Sequence, residues 1–246
     1  MRGGFTLVEL LVVISIIATL AGIGIPVILS KVKEGYKTEA IQNIKQIGVA
    51  LFSFEKEYGS YPCDSTAEDV RTNNPDLPYT FGNAFSNDFF RQLIATKMVD
   101  QEKPFYVKCS YTKKPDNIMT QGKCLAAGEC GFAYIMASQS EPLSQSSGRT
   151  DRPLLACVVY NCKTDGTFDP DVFGGKAVIA RIDQSVTTDN VRSNDKMVLV
   201  AGKKLLEAGR DSVWGDGINP VIKPPMRAHS SGTSQLPASN ADDTGH

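Results

Sequence analysis

An almost unbroken run of apolar residues extends from Phe5 to Leu29, and the only charge within it is Glu9. As a single helix, a run of this length crosses a hydrocarbon core about 30 Å thick. Beyond Leu29 the chain turns polar but stays periodic. Ala40, Ile44, Ile47, Leu51, Phe54 and Tyr58 alternate in steps of four and three, the spacing of one helical face. Glu39, Gln42, Asn43, Lys45, Gln46 and Glu55 lie between them and suit solvent. The spacing predicts helix from Phe5 to about Tyr58, roughly 80 Å at about 1.5 Å per residue. Gly59-Ser60-Tyr61-Pro62 is a stop, a glycine closely followed by proline. The stripe is short for a free coiled coil, so it is expected to pack on the chain's own domain.

The later pattern is mostly β. Asp64 to Asn83 is rich in Asp, Asn, Pro and Thr and reads as loop. Ser86 is placed to cap a helix carrying Phe89, Phe90, Leu93, Ile94 and Met98. Strands are expected at 131–136, 154–160, 177–182 and 197–200, separated by turn-rich loops. The fold class read from this order is α+β: a long N-terminal helix packed on an antiparallel sheet, with extended loops. From Arg227 onward the chain is Ser, Gly, Asn, Asp and Thr, the composition of a disordered tail.

Composition narrows the function classes. The chain has 246 residues, 22% of them charged, and a net charge of −1. That is enough for one core of ordinary size, and it leaves no electrostatic footprint for nucleic acid. Its two histidines, His229 and His246, both fall in the tail, and no GxSxG, P-loop or HExxH spacing occurs, so no enzyme is expected. Lys203-Lys204 reads as a solvated turn and Trp214 as core.

Glu9 is what a plain anchor does not explain. An ionised carboxylate inside an apolar membrane helix costs on the order of 2.5–3.5 kcal/mol, so such acids usually have a partner. A cut between Gly4 and Phe5 would place a new ammonium four residues before Glu9, on the same helix face. Two simpler readings compete: an uncleaved signal anchor, and a secretory signal whose cleavage site is imitated by Gly22 and Gly24. Arg2 favours retention of the leader on the cytoplasmic side. Pro26, preceded by Gly22 and Gly24, predicts a kink or local opening of the helix.

The run Gly3-Gly4-Phe5-Thr6-Leu7-Val8-Glu9-Leu10-Leu11-Val12-Val13 resembles the leader and start of type IV pilins and type II secretion pseudopilins. The resemblance implies that a prepilin peptidase cuts after Gly4 and methylates Phe5. It also implies that Glu9 aligns an incoming subunit by meeting a neighbour's amine, and that the segment before Pro26 unwinds in the filament. Tyr58-Gly59-Ser60-Tyr61-Pro62 resembles the exit of the long helix in major pseudopilins. The organisation expected is a leader at 1–4, a transmembrane half-helix at 5–29 and an amphipathic half at 30–58. A periplasmic domain at 59–226 and the tail at 227–246 follow. That domain is longer than in a typical major pseudopilin, so the resemblance does not cover it.

The function implied is a structural subunit. It would start as a single-pass inner-membrane protein with its domain in the periplasm. Meeting an assembly platform and like or related subunits, it would then join a type II secretion pseudopilus that drives protein export. A type IV pilus subunit (adhesion, motility or DNA uptake) is the alternative within the family. A membrane-tethered ligand-binding or enzymatic domain is the alternative outside it.

Cys63, Cys109, Cys124, Cys130, Cys157 and Cys162 contain no CxxC pair, which argues against structural zinc. An even number outside the cytoplasm suggests disulfides. Cys124 with Cys130 is the favoured pairing and Cys157 with Cys162 the next, with free buried thiols the alternative. No cofactor is expected. Calcium, held by some major pseudopilins in a carboxy-terminal loop, is the one ion kept open. Asp165, Asp169 and Asp171, and Asp211 with Asp216, do not complete a calcium pattern, so no metal ligand is assigned.

Overall fold

A computed structural model describes residues 6–120 and 122–228, apart from the side chains at 23, 24, 26 and 147. One helix, α1, runs from Leu7 to Tyr58. Its second half buries Ala40, Ile44, Ile47, Leu51 and Phe54, the periodic stripe, while Tyr58 is half-buried and stacks on Phe54 with ring centroids 4.6 Å apart. Gly59 ends the helix at φ 77°, a left-handed conformation open to glycine at little cost, and its N–H donates to Glu55 O. Tyr61 then turns into the core, and the Pro62 carbonyl accepts a hydrogen bond from Tyr134 Oη at 3.2 Å.

Asn43 departs from the solvent-facing expectation. It is buried, and its Nδ2 donates to Tyr106 O at 2.9 Å, fastening the helix to the chain that follows Lys103–Phe105. Asn43→Ala is expected to lower the unfolding free energy by about 1–2 kcal/mol, because the bond goes and nothing replaces it. The urea midpoint of the detergent-solubilised chain measures this, with exposed Gln46→Ala as the neutral comparison.

The main sheet has five antiparallel strands: β1 (Ala133–Met136), β2 (Pro153–Cys157), β3 (Lys176–Arg181), β4 (Val186–Asn190) and β7 (Val221–Lys223). Their order is β4-β3-β2-β1-β7. β5 (Leu199–Val200) and β6 (Lys203–Lys204) form a separate two-stranded ribbon. Every residue of β1 and β2 is buried, so both faces of the sheet centre are covered, since successive side chains point to opposite faces. α1 packs against β2, β3 and β4. The intervening loops add Phe105, Val107, Tyr111, Leu125, Leu205 and Trp214 to the same core.

Several local expectations are corrected. Part of the segment read as loop is helix α2 (Asp64–Asn73). It is held by buried Thr66 and Val70, with Thr66 Oγ1 donating to Gln92 Oε1 at 2.7 Å. Helix α3 (Ser86–Ala95) is capped not by Ser86 but by Asp88, whose Oδ2 accepts from Phe85 N at 3.0 Å. Ser86 instead donates its hydroxyl to Phe132 O at 2.7 Å, joining α3 to the start of β1. Lys203-Lys204 is strand rather than turn. β4 escaped the sequence reading because an edge strand needs little apolar content, Val186-Thr187-Thr188-Asp189-Asn190 having only one apolar side chain, and β7 because it is only three residues long.

Candidate functional site

The first half of α1 carries the candidate site. Thr6 is its N-cap. Glu9 folds back onto it: the Thr6 N–H and hydroxyl donate to Glu9 Oε2 at 2.9 and 2.8 Å, and the Glu9 N–H donates to Thr6 Oγ1 at 3.3 Å. This is a capping box, which satisfies otherwise unpaired helix-start amides and sets the carboxylate at the positive end of the helix dipole. Thr6 is thus a partner of Glu9 that the charge argument overlooked, although Thr-x-x-Glu ahead of an apolar run is a readable signal. Gly4 and Phe5, the expected cleavage and methylation positions, lie outside the described residues.

From Leu7 to Leu29 the large apolar side chains stand exposed on every side of the helix, by 47% (Val13) to 79% (Leu7). A helix that is apolar all round needs a membrane or other helices around it. It is the one described helix long and apolar enough to cross a membrane, and none of its membrane-length window is buried within the chain. Its hydroxyls are suited to that surrounding: Ser15, Thr19 and Ser30 each donate to a backbone carbonyl one turn back, at 2.8 Å. Between Phe5 and Ser30, Glu9 is the only charged residue. Backbone helix is continuous through Gly22, Gly24 and Pro26, where the sequence predicts a kink; Gly22 has open space where a side chain would stand, and the ring of Pro26 is among the side chains outside the description.

The cysteines are all free thiols in the structure, and neither Cys124 with Cys130 nor Cys157 with Cys162 is joined. Cys63 hydrogen-bonds with Ser65 Oγ at 3.0 Å, and Cys130 donates to Phe132 O at 3.4 Å. Burial pushes Cys130 and Cys162 each up to about 12, with a contribution from the charge of Cys109. Burial also raises Cys157, and again Cys109 adds to it. Burial likewise pushes Cys124 up to about 12, with the neighbouring Glu102 charge adding to it.

Three of the five aspartates considered for calcium have local partners. Asp165 Oδ1 accepts from Thr167 N at 3.0 Å, Asp169 Oδ1 from Asp171 N at 2.9 Å, and Asp216 pairs with Arg210 at 3.3 Å. Trp214 is buried, its indole N–H on Leu205 O at 2.7 Å. His229 and His246 lie outside the described residues.

A different acidic group, unmarked by spacing, comes together in the connection between α3 and β1. Glu102, Asp116 and Glu129 each place a carboxylate oxygen within 4.8 Å of the others. Glu102 accepts from Leu125 N at 2.6 Å and from Asn117 N at 2.8 Å, and Glu129 Oε2 accepts from Ala126 N at 2.7 Å. Burial, together with the neighbouring Glu129 charge, holds the Glu102 carboxyl above its ordinary range despite the Leu125 amide.

No curated protein and no solved structure matches the chain. A family model, the prokaryotic N-terminal methylation motif, matches residues 1–25. The match covers the expected leader, Glu9 and the first turns of the exposed apolar helix, and it supports the type IV pilin and pseudopilin family broadly.

Proposed function

We propose that the chain is a prepilin-like structural subunit that is cleaved after Gly4, methylated at Phe5 and built into a helical filament of a type II secretion pseudopilus. The observation that carries this reading is the coincidence of the methylation motif with one continuous helix, apolar and exposed in its first half and seated in the core in its second. In the bilayer that exposed half anchors the subunit; on extraction it packs against the same half of neighbouring subunits. Glu9 exchanges its contacts with Thr6 for a neighbour's Phe5 ammonium, and this charge pair sets register. The chain's chemistry is then assembly rather than catalysis.

The secretion reading rests on the helix exit, where Tyr58, Gly59 and Tyr61 each have a structural task, as in the resemblance to major pseudopilins. Fractionation distinguishes it from a type IV pilus: retention in the envelope supports the pseudopilus, and shearable surface fibres would favour the pilus.

Mass spectrometry of the mature N-terminus tests the core of the proposal. N-methyl-Phe5 is expected, and Gly4→Leu is expected to block cleavage completely, leaving a chain heavier by the leader. An intact Met1 on the wild-type protein would reduce the helix to a tether.

A further inference from the structure

We propose that Glu102, Asp116 and Glu129 bind one divalent cation of the hard, oxygen-seeking class, calcium by size and ligand type. The site does not depend on the filament reading, and it involves none of the aspartates in the carboxy-terminal loops.

Geometry gives the first argument. Two oxygens on one calcium ion, each at about 2.4 Å, can be no more than about 4.8 Å apart. All three carboxylates meet that limit with one another. They contribute three to six oxygens according to how many bind through both, and water completes the shell. An all-oxygen set of this kind suits calcium, magnesium or manganese rather than zinc or copper.

A second, independent observation is the state of Glu129. Its side chain is fully buried, and its Oε1 makes no hydrogen bond. The half-exposed Lys113 ammonium stands 3.2 Å from that oxygen as an ion pair but lacks hydrogen-bond alignment. The ion pair offsets part of the cost of burying this oxygen but leaves it without a hydrogen bond, and a cation can take the ammonium's place there.

Charge balance gives the third argument. Three carboxylates against one ammonium leave two negative charges, two of the carboxylates being buried. Arg91, which binds the adjacent Cys124 and Leu125 carbonyls, is already committed to Asp88 at 2.6 Å. A divalent ion neutralises the remainder, and Lys113 is free to turn to solvent. The consequence is mechanical: the ion ties together three points of the long connection between α3 and β1, whose apolar side chains already pack in the core.

The test uses the full chain in detergent after chelator treatment, titrated calorimetrically with CaCl2 and separately with MgCl2, with thermal melts in parallel. One saturable calcium per chain is expected, with a dissociation constant on the order of 10⁻⁵ to 10⁻³ M and a higher melting temperature. Asp116 is exposed, and asparagine keeps the acceptor for Ile118 N, so Asp116→Asn should fold normally. It should weaken calcium binding at least about tenfold, the loss of one charged ligand. Glu129→Gln should abolish saturable binding. Absence of saturable heat and of any melting shift, with either cation up to about 10 mM, would mean that the cluster holds a proton instead and would overturn the proposal. So would unchanged binding in Asp116→Asn, or saturation by magnesium but not calcium.

Discussion

Glu9→Ala is expected to leave processing intact and abolish incorporation into filaments. The variant keeps the Thr6 hydroxyl as acceptor for the residue-9 amide and loses only the return bonds to Glu9 Oε2. The local helix start should therefore weaken by about 0.5–2 kcal/mol at most, far too little to remove a helix of 52 residues. What disappears is the charge. In hydrocarbon an unpaired terminal ammonium carries a penalty of about 2.5–3.5 kcal/mol, and that penalty is what the Glu9 carboxylate removes in a correctly registered filament. Glu9→Gln separates charge from hydrogen bonding, because its carbonyl oxygen can still accept from Thr6. It too should fail to assemble. Sheared-fibre or envelope-filament yields, compared with the level of cleaved subunit, measure both variants. Wild-type assembly by Glu9→Gln would show that the hydrogen bond suffices and the ion pair is unnecessary.

The second large effect is on folding. Phe54→Ala should lower domain stability by about 3–5 kcal/mol, the range for removing a fully buried aromatic ring. Phe54 is completely buried, and its ring stacks on Tyr58 just before the Gly59 stop. Removing it opens a cavity between α1 and the domain and loosens the point where the chain leaves the helix. Ile17→Ala is the matching change in the other half, where the side chain is 59% exposed. In detergent it should move the denaturation midpoint little, while reducing assembly. If both variants shifted the midpoint equally, the division of α1 into an intersubunit half and an intrachain half would be wrong.

That division was legible in the sequence, because periodicity reports directly on burial. A run apolar on every side cannot be covered by one small domain, and a stripe in steps of three and four presents a single face to a sheet. The end of the helix was legible for a local reason: only glycine takes the left-handed cap at Gly59 without strain, and Pro62 cannot extend the helix. The central strands showed for the same reason as the helix stripe, since buried strands must be apolar. α2 and β4 were missed because their hold is tertiary. One rests on the Thr66–Gln92 hydrogen bond and the other on pairing along β3, and neither leaves a local pattern.

The candidate sites divide along the same line. Taken alone, the chain made its N-terminal motif legible: Gly4, Phe5, Glu9 and the apolar run are neighbours in sequence, so their spacing can be read without the fold. Only the tertiary structure brought Glu102, Asp116 and Glu129 together, from positions without regular spacing in the connection between α3 and β1. It alone set the burial that raises Cys130, Cys157 and Cys162. Helix periodicity is a local property that a few residues express. Contact between distant loops depends on how the whole core packs, which short-range spacing does not encode.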